Sequence, residues 1–253
     1  MLARWCAGAD EICPDAEVVE VLRYVPERRV ATRVRVDGRD AVLKIYRATR
    51  ARGNHRRLAA LAATPAASLV PAPVAIDSSG HVGLVEFIDG IPLPADAARQ
   101  AGEVLRRLHD SGAVLDRDWS VADELAQLRR TAGEQTADAV ESAIRRWTPP
   151  DSERVPSHRD CYPAQAVLTS NGVRLIDLDD AAMAPRALDV GNFTAHLIKD
   201  GARDAVPEFL AGYGDVPADH DRWERLSLAR LAALAETRHR RPQEVLELLA
   251  LLG

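Results

Sequence analysis

Lysine is nearly absent from this chain: its 33 basic residues are 31 arginines and two lysines, Lys44 and Lys199. A position that keeps a compact ammonium against that usage is a candidate for a role a forked guanidinium cannot fill. Cysteine is scarce too. Cys6, Cys13 and Cys161 are an odd number without zinc-type spacing, which argues against a disulfide framework and for reduced thiols in the cytoplasm. No apolar run approaches twenty residues, which excludes a membrane-spanning helix. The opening MLARWCAGADEICPDAE carries acids and has no apolar signal core, so secretion is not expected. There is no internal repeat, no low-complexity tract and no basic stripe of the kind nucleic-acid binding requires.

What is present is ordinary for a folded chain. Hydrophobic residues make up 47% and charged residues 28%, which argues against general disorder. At 253 residues the chain can bury a substantial core, as one long domain or as two lobes sharing a cleft. Its charge is unevenly placed. Residues 1–90 hold 11 acids and 13 bases, a net of +2, and residues 91–253 hold 27 acids and 20 bases, a net of −7. Solvated helix faces account for this most simply. A sharper account has the first part meeting phosphates and the second a cationic molecule.

The first 90 residues read mainly as strands. Residues 17–25 and 30–36 are rich in β-branched side chains, and Val36-Asp37-Gly38-Arg39 supplies a tight Asp-Gly hairpin before residues 41–46. A helix follows over 49–63, stopped by Pro65, and two further strands are expected at 74–76 and 83–88. Residues 89–94, DGIPLP, form a linker. Beyond it the pattern predicts helices over 95–111, over 121–147 with an interruption at Gly133, and over 188–199, 205–213, 219–237 and 242–252. Among them lies one strong hairpin signal, Ser170-Asn171-Gly172, between strands at 166–169 and 173–176.

That hairpin belongs to the stretch HRDCYPAQAVLTSNGVRLIDLDD, which carries the chemistry. A loop carboxylate, Asp160, is followed five residues later by an amide, Gln165, and the hairpin returns a second carboxylate, Asp177. This is the spacing of a base plus a metal clamp. Phosphoryl transfer needs positioning and charge neutralisation more than covalent chemistry. Asp160 is therefore the candidate to orient an acceptor hydroxyl and take its proton, and Asp177 with the Gln165 oxygen the candidates for Mg²⁺, a hard cation that prefers oxygen ligands. Lys44, in the strand VLKIYR, is the candidate for the α- and β-phosphates. A metallohydrolase built on His158, Asp160, Cys161 and Asp177 is a third reading of these residues, but it leaves the first 90 residues unexplained.

HRDCYPAQAVL followed by RLIDLDDAAMAPRALDVGNF resembles the aminoglycoside phosphotransferase and choline kinase family, and GLVEFIDGIPL and AGEVLRRLHDSG resemble its interlobe hinge and the helix after it. The resemblance spans about residues 17–240. It implies an α+β, two-lobed, protein-kinase-like fold, with a small antiparallel-sheet nucleotide lobe over residues 1–90 and a mostly helical lobe over 91–253. It also implies ATP or GTP as phosphoryl donor with Mg²⁺, and a small-molecule hydroxyl acceptor. The adenine would lie against backbone groups around Glu86 and Ile88. His158 would brace the catalytic loop, Asp189 would be structural and Asp179 would support the metal site. Two departures stand out: Asn54 occupies the place of the family's helix glutamate, and Gln165 replaces asparagine. The loop RYVPERR also lacks glycine, which leaves Arg28 or Arg29 to contact phosphate or to form a solvated turn. These departures keep a second reading open, a nucleotide-binding pseudokinase acting as scaffold or sensor.

Overall fold

A computed structural model describes residues 2–26, 28–146 and 153–252, with side chains from residue 7 onward except that of Arg146. The chain begins with a helix, α1 (Leu2–Ile12), followed by β1 (Glu17–Val25), β2 (Arg29–Val36), β3 (Arg39–Tyr46), α2 (Ala51–Ala62), β4 (Pro73–Ile76) and β5 (Val82–Glu86). The five strands form one antiparallel sheet in the order β1-β2-β3-β5-β4. The β2–β3 turn follows from its residues: Asp37 and Gly38 both take positive φ, 50° and 74°, the conformation a two-residue turn needs to match strand twist. α1 was not expected from the sequence, where no cap or clean apolar stripe marks it. It is held by the sheet: Ala9, Ile12 and Cys13 pack against Val34, Ala41, Leu43, Val82 and Leu84.

Alternation along β3 divides its side chains. Ala41 and Leu43 enter this apolar cluster, whereas Val42, Lys44 and Tyr46 project from the opposite face. Partners across an antiparallel ladder share a face, so Ala31, opposite Lys44, and Arg29, opposite Tyr46, project with them.

After a short strand, β6 (Ile91–Pro92), the chain is mainly helical: α3 (Ala98–His109), α4 (Val121–Thr131) and α5 (Ala137–Arg146). The long helical region expected over 121–147 is thus two helices, and Trp147 lies outside the described residues. At the break, the Glu236 carboxylate accepts from Gln135 N at 2.9 Å, Thr136 N at 3.1 Å and Thr136 Oγ1 at 2.7 Å, satisfying donors at the start of α5. Four strands follow, β7 (Arg154–Ser157), β8 (Ala166–Thr169), β9 (Gly172–Leu175) and β10 (Ala182–Pro185), then α6 (Arg186–Lys199), α7 (Val206–Tyr213), α8 (His220–Leu234) and α9 (Pro242–Leu252).

β6 pairs with β8 and β8 with β9, while β7 pairs with β10. The β7–β10 ribbon was not expected, because Pro156 and Pro185 make both segments poor strand candidates. It brackets two loops: β7 leads into residues 158–165 and β10 leaves residues 176–181. Two glycine contacts fix the larger assembly. Gly90 lies so close to β8 that a Cβ there would fall within 2.5 Å of the Leu168 oxygen, and in the α3–α7 contact a Cβ on Gly102 or Gly212 would collide with the facing backbone. The main core lies between α3, α6, α7 and β9, with Leu105, Leu108, Leu175, Phe193 and Phe209 fully buried. Among the described residues no helix is long and apolar enough to cross a membrane, and Cys13 and Cys161 are free thiols.

Candidate active site

Lys44 reaches from β3 to the turn after β9. Its Nζ donates to Asp177 Oδ1 at 2.7 Å and to Asp179 Oδ1 at 2.8 Å. Burial works against the ammonium, but the Asp179 and Asp177 carboxylates outweigh it and raise its pKa. The converse holds at Asp177. Burial favours the neutral acid, yet Lys44 and then Arg29 hold the carboxyl well below the usual range. Asp177 adopts φ 58°, ψ 46°, a left-handed conformation uncommon for a non-glycine residue. Such backbone persists where the surroundings determine it, here the two cations above and the β9 hairpin below.

The second carboxylate on Lys44, Asp179, has further partners. Its Oδ2 accepts from the Tyr46 hydroxyl at 2.9 Å and from Arg29 Nη1 at 3.2 Å. α2 contributes at one remove: Asn54 Nδ2 donates to the Tyr46 hydroxyl at 3.1 Å, while Arg57 bonds Asn54 Oδ1 and reaches the Asp179 carbonyl at 3.3 Å. Asn54, Arg57 and Asp179 are all buried. Both carboxylates that hold Lys44 thus lie on the turn after β9.

The loop carrying Asp160 is held from beneath by one carboxylate. Asp189, fully buried in the first turn of α6, accepts from His158 N and Arg159 N at 2.7 Å each, and from His109 Nε2 at 3.2 Å. Burial alone would raise its pKa, but the His109 bond and the backbone donors bring it below the usual value. His109 is oriented in turn by Tyr213, 2.8 Å from its Nδ1. His158 is buried with its Nε2 2.8 Å from the Ile176 carbonyl, joining the loop to the residue before Asp177. Arg159 takes φ 67°, which turns the chain so that Asp160 faces outward, with its side chain 42% exposed.

Gln165 lies on the same seam. Its carbonyl accepts from Ile176 N at 2.9 Å, and its side-chain Nε2 donates to the Tyr162 hydroxyl at 3.2 Å, which turns the amide oxygen the other way. At the end of β5, the Glu86 side chain is committed to structure: Arg174 binds it through both Nη atoms at 2.7 and 2.9 Å, and Ala72 N donates to it at 3.0 Å. Its main-chain N–H is bound to the Ala72 carbonyl at 2.9 Å. Ile88 is buried two residues on, and Phe87 carries the Arg33 guanidinium 4.1 Å above its ring. Cys161 is fully buried, and burial pushes its thiol well up, so it offers neither a nucleophile nor a ligand.

Three further residues take part in this site, and local sequence signals do not fix their roles. Arg230 on α8 donates to Asp160 Oδ1 at 3.3 Å and to Asn192 Oδ1 at 2.7 Å, and Asn192 Nδ2 donates to the Cys161 carbonyl at 2.7 Å. An arginine inside the apolar run LARLAAL was the available signal for Arg230. Asn192, on the wholly buried stretch of α6, had none. Arg29 was a candidate without a direction; the fold points it at Asp177 and Asp179.

Among the described residues no group of three or more His, Cys, Asp or Glu side chains converges as a metal cage. One carboxylate and one amide oxygen nevertheless suit Mg²⁺, which is commonly bound through one or two carboxylates with substrate phosphates and water completing its shell.

Residues 26–228 match the phosphotransferase enzyme family model. The fold is similar to that of choline kinase LicA from Streptococcus pneumoniae, at 16% identity over 93% of this chain and 94% of that one, with a TM-score of 0.69. It is similar to macrolide 2′-phosphotransferase MphH from Brachybacterium faecium, at 18% identity over 99% and 97% of the two chains, TM-score 0.61. It also resembles aminoglycoside 2′-phosphotransferase-IIIa solved with GDP, at 17% identity over 99% and 96%, TM-score 0.64. No curated protein sequence matches the chain. With four-fifths of its length covered by the family model, the chain belongs to the phosphotransferase enzyme family and has its kinase-like α+β fold.

Proposed function

We propose that this phosphotransferase is a small-molecule kinase that moves the γ-phosphoryl group of ATP or GTP to a hydroxyl of an aminoglycoside-like antibiotic or another small metabolite. The observation that carries this reading is the convergence of Lys44 with Asp177 and Asp179 beside the loop that presents Asp160. Residues 1–90 would hold the nucleotide and residues 91–253 the acceptor. The base would lie against the segment after β5, bonded by backbone groups around Glu86 and Ile88. GDP in one structural relative and AMP in a LicA structure support such a site without choosing between the bases.

Each residue then has a physical task. Lys44 positions the α- and β-phosphates. Asp177 and the Gln165 amide oxygen would hold Mg²⁺, which supplies charge neutralisation when bound. Asp160 accepts the acceptor's hydroxyl proton late, when the oxygen–phosphorus bond is forming, and until then orients the hydroxyl for in-line attack. Arg230, itself held by Asn192, steadies that carboxylate. The acidic balance of residues 91–253, a net of −7, favours an acceptor that carries a cationic group.

A pseudokinase scaffold is the second reading, and one observation favours it: Lys44 is engaged by both carboxylates of the turn and by no helix glutamate. Mass-spectrometric screening of hydroxyl acceptors with nucleotide and Mg²⁺ separates the two. An acceptor that gains one phosphate, with the gain lost in Asp160→Asn, supports the kinase. Tight nucleotide binding without transfer to any acceptor, unaffected by Asp160→Asn, supports the scaffold.

A further inference from the structure

Arg29 is the first residue of β2, and only three residues, Pro26-Glu27-Arg28, connect it to β1. Without glycine, that connection is a poor source of backbone amides for a phosphate cradle. The ladder places Arg29 opposite Tyr46, on the face of the sheet that carries Lys44. Its guanidinium crosses to the turn after β9, with Nη1 3.2 Å from Asp179 Oδ2 and Nη2 3.6 Å from Asp177 Oδ2. Lys44 holds the other oxygen of each carboxylate, at 2.8 and 2.7 Å. Two cations and two anions therefore alternate around a closed ring, and every carboxylate oxygen of the pair faces a positive charge.

A divalent cation arriving alone at Asp177 has to displace an ammonium and a guanidinium already bound to its carboxylate. A triphosphate provides the alternative partner, because a planar guanidinium suits phosphate oxygens as well as it suits a carboxylate. Arg29 is the member placed to move, since its side chain is 28% exposed against 15% for Lys44. We propose that Arg29 guards the metal site: in the free protein it caps Asp177 and Asp179, and nucleotide phosphates draw it off, so that divalent metal joins Asp177 together with nucleotide and not before. This rests on the nucleotide-dependent reading given above and adds the residue that couples the two ligands.

Mn²⁺ binding followed by electron paramagnetic resonance, on the full chain with and without ADP, tests it. Wild type is expected to bind Mn²⁺ poorly alone and about tenfold or more tightly with ADP. Arg29→Gln is expected to bind Mn²⁺ alone about tenfold more tightly than wild type, and ADP about tenfold more weakly, as removal of one close cation predicts. Asp177→Asn in the Arg29→Gln background should abolish the gain, which locates the metal. Arg29→Lys keeps the charge and should keep metal out, and it serves as the second variant if Arg29→Gln unfolds. Metal-alone affinity unchanged in Arg29→Gln, unchanged ADP affinity, or a gain that survives loss of Asp177 overturns the proposal. If wild type transfers phosphate while these values stay unchanged, this inference alone fails. If wild type binds no nucleotide, the kinase reading fails with it.

Discussion

Arg230, on α8, donates to the carboxylate of Asp160, seventy residues earlier, at 3.3 Å, and the same Nη2 atom binds Asn192 at 2.7 Å. The proposed base is thus held by a helix far from its own loop. Burial lowers the guanidinium's pKa, but Asp160 and Glu124 more than reverse this, so Arg230 remains charged under all working conditions.

Arg230→Ala should lower kcat about tenfold while the KM for nucleotide stays within about twofold, since Arg230 positions Asp160 and touches no nucleotide-side residue. Arg230→Lys should recover part of kcat by restoring the charge. Steady-state kinetics with nucleotide varied at saturating acceptor reads the split; a rise in nucleotide KM with kcat unchanged contradicts the positioning role.

Asp160→Asn should reduce transfer by about 10²–10⁴-fold, the contribution of a positioned general base, with nucleotide affinity largely kept. Asp177→Ala should weaken metal–nucleotide binding as well. Calorimetric titration beside a turnover assay distinguishes the two variants, and undiminished turnover in Asp160→Asn rejects its assignment as base.

Asp179→Asn removes the charge that Lys44, Tyr46 and Arg29 share while keeping the shape. It should weaken nucleotide binding, because Lys44 loses one of its two anchors, and should lower thermal stability through the buried donors left without a charged acceptor, by about 1–3 kcal/mol. Thermal unfolding followed with and without ADP measures both effects. A variant as stable as wild type and equally responsive to ADP shows that Asp179 does not anchor Lys44 for nucleotide binding.

His196 predicts a pH dependence. It is buried, stacked on Tyr162 with ring centroids 4.4 Å apart, and burial together with Arg230 and Lys199 lowers its pKa from 6.5 to about 3. Below pH 6.5 the unfolded chain binds a proton that the folded chain refuses, so stability falls as pH drops from 6.5 toward 3. The loss is about 2 kcal/mol at pH 5. His196→Gln should flatten the stability profile between pH 6.5 and 5 in denaturant titrations; a slope equal to that of wild type assigns the dependence to other groups.

The sheet strands, the β8–β9 hairpin and most helices were legible because their signals are local. Strand β1 and helix α9 have the bounds that β-branched richness and a first-turn proline indicate. Helix α1 and the β7–β10 ribbon were not, since one is defined by the sheet it packs on and the other runs through two prolines.

By itself the sequence determined the chemistry-bearing stretch, because Asp160, Gln165 and Asp177 lie within eighteen residues and a hairpin of known geometry closes the distance between them. It also marked Lys44 through its rarity. What only the tertiary structure decided is who partners whom across long separations: Lys44 with Asp179, 135 residues apart, Arg29 with Asp179, 150 apart, and Arg230 with Asp160, 70 apart. Side-chain contacts between distant segments leave no periodicity or turn signal in the chain. They arise when layers pack and bring into hydrogen-bond range charges that local structure had merely pointed in compatible directions.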